Sequence, residues 1–135
     1  MKEITLKATI ENVRQITEWI DSELEKLDCS MKAQMQIDVA IDELVSNIAH
    51  YAYSPGTGSV TVQFDFDPET RTVVLTFIDS GVPYDPLQNA DPDVTLPVEK
   101  RRIGGLGIFL VRKTMDHMSY RRDGGRNILE IRKKI

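Results

Sequence analysis

The segment Asp42-Glu43-Leu44-Val45-Ser46-Asn47 decides the fold, because it combines the apolar spacing of a packed helix with polar side chains one turn apart. This spacing predicts an amphipathic helix that is capped by Ser30 and ends near Tyr53. On the helical projection, Glu43 and Asn47 share one shoulder of the apolar stripe. We therefore expect both side chains to point into one pocket beside the core. The stripe consists of Ile37, Ile41, Leu44, Val45 and Ile48.

A carboxylate and an amide oxygen at this spacing suit magnesium chemistry. Mg²⁺ prefers a few hard oxygen ligands and completes its shell with waters and substrate phosphates. Asn47 is therefore a candidate metal ligand, and Glu43 is a candidate general base. The alternative interpretation of this helix alone is a solvated glutamate and asparagine on an amphipathic surface.

The sequence on both sides of this helix predicts further strands and helices. A strand over 4–8 precedes a helix over 13–27, and an antiparallel hairpin pairs 60–66 with 72–78. A helix over 106–116 is followed by strands 118–122 and 127–133, which meet at a Gly124-Gly125 turn. The order of elements predicts an α+β fold with helices covering one face of a sheet.

Asp79 and Gly81 follow directly on an apolar strand. A carboxylate at the rim of a sheet can accept a hydrogen bond from an exocyclic amine such as that of adenine. A nearby glycine lets a ring approach the backbone closely. A simple Asp-Ser-Gly turn at a strand end is the alternative.

The run Gly104-Gly105-Leu106-Gly107 precedes an apolar helix. Free backbone N–H groups at a helix N-terminus favour phosphate, although a glycine cluster can also serve only as a loop hinge. The run matches neither of the common glycine-rich nucleotide motifs. A proline-rich segment over 82–103 precedes it and is predicted to be a lid, from which Arg101 and Arg102 could reach a terminal phosphate or remain solvated.

Composition places the chain among ordinary globular proteins. It has 135 residues, of which 41% are hydrophobic and 28% charged, and its net charge of -4 gives no general case for binding nucleic acid. It has one cysteine and no apolar run long enough for a membrane span. The sequence therefore predicts a single cytoplasmic domain.

Taken together and in this order, these segments resemble the GHKL superfamily of ATP-binding domains. Glu43 and Asn47 match its N box, Asp79 and Gly81 its first glycine box, and Gly105 and Gly107 its second. The short chain and the segment from Gly81 to Pro86 are similar to the anti-sigma factor serine/threonine kinase branch. The resemblance implies a Bergerat-type fold: a two-layer sandwich with a mixed, mostly antiparallel sheet.

The resemblance also implies ligands, roles and partners. ATP would lie between helices and sheet under the lid, with Asn47 on magnesium, Glu43 as base and Asp79 on adenine. The implied partners are a sigma factor and an anti-sigma antagonist whose serine or threonine is phosphorylated. A homodimer through the first strand and helix is also implied, with Trp19 as an interface anchor or a core residue. A nucleotide-gated binding module without phosphotransfer and a stand-alone histidine kinase-like ATPase domain remain alternatives.

Overall fold

A computed structural model describes residues 1–88 and 105–135, with the backbone alone at 105 and 106. The chain begins with strand β1 (Lys2–Lys7) and helices α1 (Ile10–Glu25) and α2 (Met31–Asn47). Ser30 caps α2 by accepting a hydrogen bond from the Ala33 N–H, as predicted. After Asn47 the helix continues as a π-helical segment over Ile48–Ala52, so the predicted end near Tyr53 is confirmed.

The second half of the chain supplies the rest of the sheet. Strands β2 (Ser59–Asp67) and β3 (Thr72–Asp79) form the predicted hairpin, and a 3₁₀ turn spans Pro86–Gln88. Helix α3 (Gly105–Thr114) leads to β4 (His117–Asp123) and β5 (Arg126–Lys134). Gly124 and Gly125 join β4 to β5 with positive φ angles, which suit the tight hairpin turn that the sequence predicts.

The five-stranded sheet has the order β1-β2-β3-β5-β4, and neighbouring strands are antiparallel throughout. The inward side chains of each strand pack against the helices, and α2 contacts both α1 and α3. Buried members of this core include Ile16, Ile41, Val62, Leu75, Phe77 and Ile131. The predicted α+β fold, with helices on one face of the sheet, is confirmed, although the sheet of the described residues is antiparallel rather than mixed.

Two further features bear on the sequence predictions. Trp19 is half-buried and packs against the core. Within residues 1–88 and 105–135, every helix is too short or too polar to cross a bilayer.

Candidate functional site

A cleft lies between the end of α2 and the sheet. The helical wall is apolar except at Asn47, and the sheet wall carries Asp79 and Asn127 among apolar side chains. The lining comprises Leu44, Asn47, Ile48, Tyr51 and Ala52 on the helical side, Phe77, Asp79, Tyr120, Asn127 and Leu129 on the sheet, and Val82, Tyr84 and Pro86 beyond β3. A mostly apolar cleft with a few convergent polar groups is typical of a small-molecule site.

Asp79 is the polar group at the rim of the sheet. It ends β3 on the inward face, in the same alternating series as Leu75 and Phe77, and it is only 6% exposed. Its Oδ1 accepts hydrogen bonds from the Gly81 N–H and from Asn127 Nδ2, both at 2.9 Å. Both bonds end on the same oxygen, so Oδ2 keeps its acceptor capacity for a ligand.

Gly81 brings the chain into close contact with the π-helical segment. A Cβ atom at Gly81 would lie 2.3 Å from the Ala52 carbonyl oxygen, and the Val82 N–H donates to that same oxygen at 2.9 Å. Beside this contact, the Tyr53 hydroxyl accepts from the Ser80 N–H and donates to the Ser59 carbonyl. The turn after β3 is thus held against the end of the helix, and only glycine fits at residue 81.

Glu43 lies one turn before Asn47 on α2, where its carboxylate meets the first turn of α3. A Cβ atom at Gly107 would lie 2.0 to 2.3 Å from the three carboxylate atoms of Glu43, so the glycine makes room for this side chain. Burial raises the pKa of Glu43 above its usual value, and the adjacent Asp42 carboxylate raises the pKa further. A half-buried carboxylate with a raised pKa, at a helix N-terminus, is suited to accept a proton.

Asn47 points into the cleft itself. No hydrogen bond joins its side-chain amide to the rest of the described chain, so its oxygen is available to a ligand. Residues 1–88 and 105–135 contain no group of three acidic, histidine or cysteine side chains that could hold a metal ion without help. A cation beside Asn47 would therefore need oxygens from a bound substrate, as Mg²⁺ commonly takes them from phosphates.

The structure brings some of the predicted site residues together and does not describe others. Asn47 and Asp79 line the cleft, Gly81 packs against the lining residue Ala52, and Glu43 contacts Gly107. Gly105 begins α3, as a phosphate-binding helix N-terminus requires. Arg101, Arg102, Gly104 and the side chain of Leu106 lie outside the described residues. The described part of the predicted lid, 82–88, lines the cleft through Val82, Tyr84 and Pro86.

The structure also reveals functional candidates that the sequence analysis missed. Asn127, at the start of β5, is paired directly with Asp79 on β3 and with Arg122 on β4. Arg122 Nη1 donates to the Gly81 carbonyl at 2.8 Å, and Tyr120 donates to Asn127 Oδ1. A polar residue in the inward series Asn127, Leu129, Ile131 was the available signal, because alternation places all three on the covered face.

Comparison with known proteins assigns this arrangement to a family. The sequence profile of the histidine kinase-like ATPase domain matches residues 6–133, which include every strand and helix that lines the cleft. The chain belongs to this family. The resemblance identified from the N box and the two glycine boxes is thereby confirmed.

Individual relatives within the histidine kinase-like ATPase family are named as kinases. The chain is 29% identical to the serine/threonine-protein kinase BtrW of Bordetella bronchiseptica over 76% of this chain and 71% of that protein. It is 30% identical to the serine-protein kinase RsbW of Bacillus cereus, over 67% of this chain and 58% of that protein. RsbW of Bacillus mycoides is 27% identical, again over 67% of this chain and 58% of that protein. The match thus spans less than two thirds of the RsbW proteins.

Proposed function

We propose that the chain is an anti-sigma factor type serine/threonine protein kinase that binds Mg-ATP in the cleft. In this proposal Asn47 binds magnesium, Asp79 reads adenine, and Glu43 accepts the proton of a serine or threonine hydroxyl on an antagonist protein. The hydroxyl oxygen then bonds to the γ-phosphorus as the bond to the β-phosphate oxygen breaks, and ADP leaves. The relatives named as serine or serine/threonine kinases support this assignment.

The observation that carries the proposal is the position of Glu43. Its carboxylate forms no ion pair with another described residue, its pKa is raised by burial and by Asp42, and it lies against the first turn of α3. A structural glutamate on a helix surface would be solvated or paired with a cation. A half-buried carboxylate with no cation partner in residues 1–88 and 105–135, one turn from an asparagine that faces the cleft, matches a general base beside a phosphate site.

The residues present fit the two ligands that the proposal requires. Asp79 Oδ2 can accept from the 6-amino group of adenine, because both protein donors bond to Oδ1. The free amide oxygen of Asn47 is a hard donor of the type that magnesium prefers. When bound, magnesium neutralises charge on the phosphates. In the proposal, Gly104 to Gly107 cradle those phosphates, and Arg101 and Arg102 approach them from the lid over 82–103.

The proposed partners are proteins. The antagonist is the substrate, a sigma factor is sequestered by the kinase, and the complex acts in the cytoplasm. Two other functions compete with this proposal: a nucleotide-gated regulator that binds partners without phosphotransfer, and a stand-alone histidine kinase-like ATPase domain. These functions differ in whether a phosphate leaves ATP and in which residue receives it.

The decisive experiment follows phosphate from ATP labelled at the γ position onto an antagonist protein that co-purifies with this chain. We expect label on serine or threonine, in an acid-stable phosphoester. Glu43→Gln should keep the complex and ATP binding but lower the transfer rate by about 10²- to 10⁴-fold, which is the usual contribution of a general base. Glu18→Gln, on an exposed face of α1, is the matched control and should transfer phosphate normally.

The possible outcomes separate the three functions. Complex formation with ATP but without any label would favour the regulator that transfers no phosphate. Acid-labile label would indicate phosphohistidine and favour the histidine kinase-like alternative. If Glu43→Gln transferred phosphate as fast as the wild type, Glu43 could not be the base.

A further inference from the structure

Asn127 is the most completely hydrogen-bonded side chain at the cleft, although it was not among the predicted site residues. It is 5% exposed and stands at the start of β5, directly between Asp79 and Arg122 in the sheet. A buried amide is costly unless its donors and acceptor lone pairs find partners. The partners that Asn127 finds therefore indicate what it does.

Each hydrogen-bonding position of the Asn127 amide is used within the protein. Nδ2 donates to Asp79 Oδ1 at 2.9 Å and to the Val82 carbonyl at 2.8 Å. Oδ1 accepts from the Tyr120 hydroxyl and from the Tyr84 N–H. Because an amide has two donors and two acceptor lone pairs, Asn127 has no capacity left for a ligand. It acts on a ligand only through the groups that it holds.

These bonds also fix which way the amide points. Turning it over would set its oxygen against Asp79 Oδ1 and the Val82 carbonyl, which are both acceptors. It would also set the NH₂ group against the Tyr84 N–H, which is a donor. Only the observed orientation satisfies all four partners, so the position of Asp79 is determined from β5 as well as from its own turn.

The consequence for Asp79 is a fixed rotation of its carboxylate. The Asn127 amide and the Gly81 N–H both donate to Oδ1, and so Oδ2 is the oxygen left to accept from a ligand. An acceptor held in this way distinguishes a purine that carries a 6-amino donor from one that lacks it. Without Asn127 the carboxylate could rotate, and either oxygen could turn toward protein donors or solvent.

We propose that Asn127 is a positioning residue that gives the cleft its preference for a 6-aminopurine by holding Asp79, an inference that rests on the proposed binding of ATP. The Tyr120 hydroxyl supports the arrangement from β4 by bonding to the other end of the amide. The bonds to Val82 and to the Tyr84 N–H hold the start of the 82–88 segment in the same place.

The test compares the affinity for Mg-ATP with that for the magnesium complex of purine riboside triphosphate, which lacks only the 6-amino group. Calorimetry on the wild type should show that ATP binds about tenfold or more tightly, as expected for a hydrogen bond to a carboxylate. Asn127→Ala should reduce this ratio of affinities to below about threefold, mainly by weakening the binding of ATP. A general loss of folding would weaken the binding of both nucleotides equally and leave the ratio of affinities unchanged.

Two further variants make the test decisive. Asn127→Leu has a similar branched shape but removes both donors, so we expect it to lose the difference in affinity even if Asn127→Ala does not fold. Ile128→Ala is the matched control, because Ile128 is buried on the opposite face of the same strand, among residues such as Thr76 and Ile78. It should lower stability and keep the wild-type ratio.

The outcomes distinguish this inference from the function on which it rests. A wild-type ratio near one would overturn the reading of adenine by Asp79, and the role of Asn127 with it. A large wild-type ratio that persists in Asn127→Leu would overturn the positioning role alone and leave the proposed ATP site standing.

Discussion

The carboxyl groups of Asp21 on α1 and Asp38 on α2 lie close enough to interact between the two helices. Within residues 1–88 and 105–135, Oδ1 of each is buried and no donor reaches it. Burial above all, followed by the nearby carboxyl group of Asp21, raises the pKa of Asp38 to about 8. A proton shared by the two carboxyls is therefore retained at neutral pH and supplies a donor that this interface otherwise lacks.

This pair makes stability depend on pH. The pKa of Asp38 is higher in the folded protein than its ordinary value of 3.8. The protonated carboxyl therefore stabilises the fold, and its contribution to the free energy of unfolding is complete below pH 3.8. The contribution is lost as the pH rises toward 8. Asp38→Asn carries its own donor at every pH, and we expect it to raise the free energy of unfolding at alkaline pH by about 1–3 kcal/mol.

Urea unfolding between about pH 5 and pH 9 measures this effect. The wild type should lose stability across the range, whereas Asp38→Asn should lose less. Glu25→Gln, at an exposed glutamate of α1, is the control and should keep the wild-type slope. Parallel profiles for the wild type and Asp38→Asn would show that no proton is shared.

Single residues also show where prediction from sequence ends. Glu43, Asn47 and Asp79 could be identified because each lies beside an apolar pattern that fixes its face within one element. Asn127 could not, because its role depends on the pairing of β5 with β3, which places residue 127 opposite residue 79. The hairpin turn fixes its pairing with Arg122 only. Pairing between strands distant in sequence is set by the whole sheet.

At the scale of elements, two glycines mark two different kinds of contact. A methyl group at Gly81 would meet the backbone oxygen of Ala52, which cannot move without displacing the end of the helix. A methyl group at Gly107 would meet the end of the Glu43 side chain, which can rotate away. The same substitution should therefore affect stability at one position and activity at the other.

Gly81→Ala should destabilise the protein by about 1–3 kcal/mol, as overpacking does. Gly107→Ala lies within α3, where alanine favours the helix by up to about 1 kcal/mol, so its stability should equal or exceed that of the wild type. Its phosphotransfer should fall because Glu43 is displaced. Thermal unfolding and the transfer assay on both variants check this contrast. Equal losses of stability would contradict it.

At the scale of the whole molecule, the cleft joins the helical layer to the sheet. Asn47 and Ala52 form one wall, and Asp79 and Asn127 form the other. A ligand that contacts both walls binds only the folded protein and stabilises it by mass action. Mg-ATP at about one hundred times its Kd should contribute about 2.7 kcal/mol, which corresponds to a rise in Tm of roughly 10 °C.

Scanning calorimetry with and without magnesium measures this rise. Asn47→Ala should lose the part of the rise that depends on magnesium and keep the part that ATP alone produces. An unchanged Tm at millimolar Mg-ATP would argue against a nucleotide site in this cleft.

Most of the architecture was accessible from sequence, because the periodicity of each element also defines its buried face. The strands, the helices and the covered face of the sheet follow from that periodicity. The π-helical segment could not be predicted in this way, since its apolar spacing is compatible with an ordinary α-helix. The hydrogen-bonded row Asp79, Asn127 and Arg122 depends on three strands and on their register.

The π-helical segment constrains how the chain can change in length. A π turn holds one more residue than an α turn, so Ile48–Ala52 behaves as a single-residue insertion within a longer helix. Deleting one residue there would convert the turn to an α turn and leave the direction of the following chain almost unchanged, because the wider turn holds its extra residue within about one helical turn. Tyr53 would then stay within reach of Ser59 and Ser80. A one-residue deletion in the regular part of α2 would instead rotate all that follows by about 100°, so relatives should differ in length within this turn rather than earlier in the helix.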